Sequence, residues 1–259
     1  MTIKDTSSSV DRTLRLIEII SHSPNGVSLA EITEMTKIPK STVFRLLEKL
    51  LNYGYVDLDR DTERYVPGLK AIDIGVSALL NTNIVDASIP YLRDLSEKTG
   101  ETSFLGVHSE GEIVYLYKAE GTQAILTPSQ LGSRRPVHCT GLGKAIFSGY
   151  SNEFILKVLN EQGMKQYTKK TLVTPESYLS EIEEVRRKGF AADLEELEIG
   201  LGCFAMPVYN FTAKVVGAIC VSGPVERVLS NESKLISLLR ESAQQVSKRL
   251  GFVPNMMIK

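Results

Sequence analysis

Between Lys37 and Lys49 the chain sets four cations, Lys37, Lys40, Arg45 and Lys49, and two hydroxyls, Ser41 and Thr42, against one acid, Glu48. Ammonium and guanidinium groups neutralise phosphate, and arginine and hydroxyl side chains also reach base edges. The spacing decides which way they point. Val43, Leu46, Leu47 and Leu50 recur at i, i+3, i+4 and i+7, so they form one inward stripe of a helix and leave Ser41, Thr42, Arg45 and Lys49 facing out. Pro39 suits the first helical turn, and the uncapped amides there offer an anion site for a backbone phosphate. Residues 29–54 thus predict two short helices with a tight turn between them, the second equipped to lie in a DNA groove. Solvated charge on any helical hairpin would have the same composition, so the flanking sequence carries weight. Residues 55–58 and 65–66 alternate apolar and polar around a polar tip at 59–64, a hairpin signal, and helix-turn-helix followed by hairpin is the order of a winged helix-turn-helix. Arg60 and Arg64 on that tip are expected to touch phosphate or the minor groove in a supporting role, beside Asp59, Asp61 and Glu63.

A second concentration of chemistry lies further on. Gly141-Leu142-Gly143-Lys144 predicts a glycine-flanked turn into a helix over 145–147, whose free amides and positive end favour a carboxylate or phosphate. It is not a nucleotide-binding P-loop, which needs an earlier glycine and a Ser or Thr after the lysine; a turn whose glycines merely permit close packing has the same sequence. Asp193 reads either as a strand-end cap or as a pocket-facing carboxylate able to bond a hydroxyl or share a proton. His138 and Cys139 are adjacent on a segment expected to be extended, so they point to opposite faces and make no nucleophile–base pair. Cys139, Cys203 and Cys220 are too far apart for a disulfide framework or zinc motif, and the latter two, on apolar runs, read as small buried hydrophobes. There is no Ser-His-Asp order, paired-carboxylate motif or dinucleotide fingerprint. No catalytic residue, metal or cofactor is expected.

The elements that must position these groups follow from periodicity. Residues 10–22 predict a supporting helix with Leu14, Ile17 and Ile20 on its apolar face, stopped by Pro24-Asn25-Gly26. Leu69, Ile72, Ile74, Val76 and Leu79 mark a helix after the wing that runs out at Asn81-Thr82-Asn83, and the domain boundary is placed there. The division is 1–66, winged helix-turn-helix; 67–83, linker helix; 84–259, second domain. In that domain a helix over 84–98 closes at Gly100, and the period then changes to alternation. Strands are expected at 102–107 and 112–119, and again at 203–208 and 215–222, with helices at 152–159, 175–188 and 231–250 between and after them. Strands first and last with helices between predict an α+β fold with helices on an antiparallel sheet.

Length and charge set the limits. The chain has 259 residues, 42% hydrophobic, with a formal net charge of -1. That suffices for real cores, and nucleic-acid binding must depend on local charge. No apolar run approaches a membrane span, and residues 1–9 lack a leader's apolar stretch and cleavage site, which predicts a cytoplasmic protein.

The motifs together resemble the IclR family of transcriptional regulators: SVDRTLRLIEII, IPKSTVFRLLEKLLNYGYV, RYVPGLKAIDIG, TGETSFLGV, GSRRPVHCTGLGKAIF, EEVRRKGFAADLEELEIGLGCFAMPV and VVGAICVSGP. The resemblance runs from about Val10 to Gly251. It implies a winged helix-turn-helix joined by a linker helix to a GAF-like effector domain, binding promoter DNA as a homodimer or homotetramer. It also implies an effector pocket between the loop 132–144 and the segment holding Asp193 and Cys203, floored by the strand of Cys220 and Ser222. Gly141 and Leu142 fall where loop amides meet the ligand, and Asp193, Cys203 and Ser222 where side chains do. Leu142 stands where a smaller Ala is common, and Cys220 where a Ser or similar small residue can donate a hydrogen bond, so a different or tighter ligand is implied. The expected function is double-stranded promoter DNA binding modulated by a small organic acid. Two alternatives stand beside it: a thiol- or metal-based sensor using Cys139, Cys203 or Cys220, and a small-molecule enzyme with an accessory helix-turn-helix.

Overall fold

The computed structural model describes residues 8–80, 83–123 and 130–254, and the side chains of these except 75–80. Most of the expected leaderless segment 1–9, the helix stop at Asn81-Thr82, and the side chains of Val76 and Leu79 lie outside the described residues. The chain divides into two compact units, Met1–Asn81 and Thr82–Lys259.

In the first unit α1 (Ser9–Ser21) begins with a capping box, Ser8 and Asp11 exchanging side-chain-to-backbone bonds. α2 (Leu29–Thr36) begins with another, from Ser28 and Glu31. It ends at Lys37 in the left-handed region (φ 58°), which turns the chain sharply into α3 (Lys40–Asn52). β1 (Val56–Asp59) and β2 (Arg64–Pro67) form the antiparallel wing, with Asp59 opposite Arg64. Val27 adds a bridge to Tyr65, tying the loop before α2 to the wing. The stripe Val43, Leu46, Leu47 and Leu50 packs on Leu16, Ile20, Ile32, Ile38, Val56 and Tyr65. One expectation changes: Leu14 is 54% exposed, and Leu16 takes its place in the core. Leu16 and Ile20 are four apart and share a face, from which Leu14 is turned away. α4 (Leu69–Leu80) follows the wing.

The second unit opens with α5 (Ile84–Thr99), capped by Asn83 and closed by left-handed Gly100. Then come β3 (Thr102–Ser109), β4 (Glu112–Ala119), β5 (Arg134–Pro136), α6 (Gly141–Phe147), α7 (Asn152–Gln162), α8 (Pro175–Lys188), β6 (Ala191–Leu194), β7 (Leu201–Tyr209), β8 (Val215–Pro224), α9 (Val225–Ser230) and α10 (Glu232–Arg249). The strands make one antiparallel sheet in the order β5-β4-β3-β8-β7-β6. Central β3, β7 and β8 are buried along most of their length because both faces are covered. One core joins the sheet to α6, α7 and α8, through Leu142, Phe147, Ile155 and Ile182. The other joins its opposite face to α5 and α10, through Leu92, Leu95, Leu239 and Val246.

This is the α+β arrangement expected, with three elements added. The edge strands β5 and β6, three and four residues long, are too short to show alternation. The six-residue α9 is too short for a helical period. The expected helix at 145–147 starts four residues earlier, because Thr140 caps it from outside by accepting the Gly143 N–H at 3.1 Å. Among the described residues no helix is long and apolar enough to cross a membrane.

Candidate nucleic-acid interface and effector cavity

On α3, Lys40, Ser41, Phe44, Arg45, Glu48 and Lys49 are exposed and Thr42 is half-buried. Pro39 sits at the N-cap rather than in the first turn, and its carbonyl accepts the Thr42 and Val43 N–H groups. The helix has no side-chain cap, so the amides of Lys40 and Ser41 precede the first intrahelical bond and point along its N-terminal end. Arg60 is exposed at the wing tip. That tip is folded by the Asp59 carboxylate, which accepts the N–H groups of Asp61 (2.9 Å) and Thr62 (3.3 Å). These bonds hold its carboxyl below the usual range.

Arg64 departs from expectation. Its guanidinium turns back from the wing, donating through Nη2 to both Glu31 oxygens (2.9 and 2.8 Å) and through Nε to the Gly26 carbonyl (3.2 Å). Glu31 is also bonded by the Ser28 backbone of its capping box, and these partners pull its pKa down to about 2. A carboxylate already fixed at the start of α2 is a nearer partner than solvent, so Arg64 braces wing against helix instead of facing outward.

In the second unit strand register builds the site. Asp193 on β6 lies opposite Cys203 on β7, and Cys203 lies opposite Ser222 on β8. Directly paired residues share a face, so three side chains far apart in sequence stand in one row. Cys220, two residues before Ser222, shares their face. The first turn of α6 presses onto this row: a Cβ at Gly141 would come within 2.6 Å of Cys203 Sγ, and one at Gly143 within 2.1 Å of the Val137 carbonyl oxygen. Glycine is required at both for close approach. A cavity of about 50 Å³ remains, and Gly141, Leu142, Asp193, Cys203, Cys220 and Ser222 all line it. Phe104, Tyr115, Arg135, Thr140, Leu197 and Leu201 complete most of the wall. The residues that sequence reasoning missed come from the opposite edge, Arg135 on β5 and Tyr115 on β4, and from the loop after β6.

Leu142 explains the small volume. It is 1% exposed, and a Cβ on Gly106 of β3 would lie 2.9 Å from its Cδ1. Glycine at 106 makes the room that the larger side chain needs. A wider groove of about 500 Å³ lies between β7, α10 and Phe252–Pro254, but none of the six expected residues lines it.

The cavity's electrostatics are those of a desolvated acid cluster. Asp193 is half-buried, and burial raises its pKa to about 6 against the opposing Glu196 N–H bond (2.8 Å) and the charge of Lys144. Behind it Lys144 is fully buried and paired with Glu196, with Glu181 3.7 Å away. Burial still carries Glu196 up to about 7, and its Oε2 is buried with no hydrogen-bond partner among the described residues. The loop after β6 is pinned by Thr171 Oγ1 to the Glu196 carbonyl (2.6 Å) and Thr168 Oγ1 to the Glu195 carbonyl (2.7 Å). Ser222 Oγ donates to the Gly202 carbonyl at 3.2 Å, leaving its lone pairs to accept. Cys139 is pushed up to about 12 by burial, and Cys220 is raised by its bond to Cys203 and by burial. His138 and Cys139 sit in a turn rather than an extended segment; the imidazole meets the Lys165 carbonyl at 3.0 Å. Among the described residues no cluster of His, Cys, Asp and Glu could hold a metal.

Two family models match the chain. The IclR helix-turn-helix domain matches residues 9–60, and the bacterial transcriptional regulator IclR C-terminal domain matches 76–248. The DNA-binding transcriptional repressor YiaJ of Escherichia coli (strain K12) is 34% identical over 251 residues, 95% of this chain and 89% of that protein. The regulator KdgR of Dickeya chrysanthemi is 29% identical over 249 residues, 96% and 81% of the two chains. The crystal structure of Thermotoga maritima IclR superposes with a TM-score of 0.63 at 30% identity, covering 94% of this chain and 99% of that one. With both domain types in order and relatives matched nearly end to end, the chain belongs to the IclR family of bacterial transcriptional regulators.

Proposed function

We propose that residues 1–66 read double-stranded promoter DNA through α3 and the wing, and that 84–259 hold a small organic acid in the cavity under α6, with 67–83 linking the two. The DNA contacts are assigned to Lys40, Ser41, Thr42, Arg45, Lys49 and Arg60, with Arg64 holding the wing in place. The observation that carries the effector reading is the row Asp193, Cys203 and Ser222 meeting the first turn of α6 in one cavity. Arg135 and the Gly141 and Leu142 amides suit a carboxylate, while Asp193 and Ser222 suit a hydroxyl or carbonyl elsewhere on the ligand. A water needs roughly 10–15 Å³ of such space, so about 50 Å³ admits only a compact acid.

Exposed Val10 and Leu14 on α1 and Leu69, Ile72 and Ile74 on α4 support self-association as a homodimer or a pair of dimers. The protein is cytoplasmic and binds its effector without turning it over. Its raised cysteines stay protonated, which speaks against a thiol sensor.

A panel of two- to six-carbon hydroxy and keto acids tests this by thermal shift and by release from upstream DNA. A hit should raise the melting temperature of the full-length protein and change its DNA affinity. Asp193→Ala should bind DNA equally well and lose both responses; an unaltered response in that variant removes the cavity from the reading.

A further inference from the structure

Phe44 is 52% exposed, and among the described residues of α3 it is the one large apolar side chain left in water. It does not belong to the inward stripe that begins at Val43. It lies one turn after Lys40 and Ser41, next to Arg45, on the N-terminal half of the helix, the half from which a recognition helix reaches base edges. The ring is flanked by Lys40, Ser41 and Arg45, with Glu48 one turn on, and among the described residues it is not part of its own unit's core; the net positive charge of this face suits a polyanion. The major groove offers one apolar feature, the C5-methyl of thymine.

We infer that Phe44 is a specificity-determining residue that packs on a thymine methyl in each operator half-site. The inference rests on the placement of α3 in the major groove proposed above. Lys40, Arg45 and Lys49 supply affinity around it, and Phe44 sets preference at one base position without a hydrogen bond. Thymine is then favoured over cytosine and over deoxyuridine, which keeps every hydrogen-bonding edge of thymine and lacks only the methyl.

Selection from a random duplex library on the full-length protein tests this, with Phe44→Leu, Phe44→Ala and Arg45→Ala alongside. Wild type and Phe44→Leu should enrich a thymine at one position per half-site, and Phe44→Ala should lose that preference while still enriching the rest of the site. Replacing that thymine by deoxyuridine in the best-bound duplex should weaken wild-type binding roughly fourfold, the worth of one buried methyl, and leave Phe44→Ala unchanged. The deoxyuridine comparison uses unaltered protein, so it stands whatever the variants do to folding. Thymine preference retained by Phe44→Ala, or equal wild-type affinity for the two duplexes, overturns the inference. If wild type enriches no sequence and Arg45→Ala binds DNA like wild type, the placement of α3 fails and the role of Phe44 with it.

Discussion

The outward face of α3 and the cavity under α6 treat charge in opposite ways. On α3, Lys40, Arg45 and Lys49 stand in water, four or five residues apart on one helix, with no desolvation to offset. Around the cavity, Lys144, Asp193, Glu196 and Glu181 are drawn from α6, β6, the loop after it and α8, and Lys144 is completely removed from solvent. A surface meant for a polyanion needs long-range field and mobile side chains. A cavity meant for one small molecule needs fixed, dehydrated groups whose protonation answers to what sits beside them. On the proposed function, the same residue types contribute affinity in one unit and structure in the other.

The sharpest way to break this contrast is Lys144→Met. Removing one partner of a buried ion pair costs about 3–5 kcal/mol, because the other charge stays buried. Denaturant unfolding of the full chain at pH 8 should show that loss in the second unit, and less of it at pH 6, where unpaired Glu196 takes up a proton. The double variant Lys144→Met, Glu196→Gln should recover much of it. Equal stability of Lys144→Met and wild type at both pH values would mean that the pair contributes nothing to the fold.

Acidity sharpens it next. Asp193 and Glu196 titrate near 6 and 7 in the folded chain, above the usual carboxylate values. They hold protons at pH 5–6 that the unfolded chain has already lost. Their contribution to stability is therefore complete below about pH 4 and disappears as pH rises to about 7. The roughly two-unit rise of Asp193 corresponds to on the order of 2–3 kcal/mol. About half of that is already lost by pH 5, so relative to wild type Asp193→Asn should be more stable at pH 8 than at pH 5 by about 1–1.5 kcal/mol. The comparison must be made between variants, since Glu31, depressed to about 2, acts with the opposite sign at low pH. A difference that stays constant from pH 5 to 8 would place the Asp193 carboxyl in water.

The two regions also differ in how far a linear reading reaches. The stripe of α3 and its exposed cations repeat within thirteen residues, so periodicity alone orients them. For Asp193, Cys203 and Ser222 only the family resemblance pointed to one site, because the row depends on pairing among β6, β7 and β8. Arg135 and Tyr115 were missed for the same reason: they enter from the far side of the sheet. Lys144 reads locally as part of an anion-binding turn, and nothing local reveals that Glu196, 52 residues away, claims it. Leu142 is out of place by sequence alone, because the space it needs comes from Gly106 on another strand. Short edge strands escaped because three or four residues carry no period.

Arg60 and Arg64 give the smallest effect and repeat the contrast within the wing itself. Both are arginines at the hairpin and both read as phosphate contacts, yet Arg60 is exposed while Arg64 is held by Glu31 and Gly26. Arg60→Ala should lower the slope of log affinity against log salt by about one, the signature of one lost phosphate contact, and leave stability unchanged. Arg64→Ala should leave that slope alone and slightly lower the first unit's stability, as expected for a partly exposed pair. The distinction depends on geometry and not on residue type. The Nη2 contacts to both Glu31 oxygens (2.9 and 2.8 Å) and the Nε bond to the Gly26 carbonyl together fix the guanidinium plane. Swinging it to a phosphate would then exchange one anion for another and gain little. If Arg64→Ala instead lowers the salt slope as Arg60→Ala does, the wing's brace opens on DNA and both arginines belong to the interface.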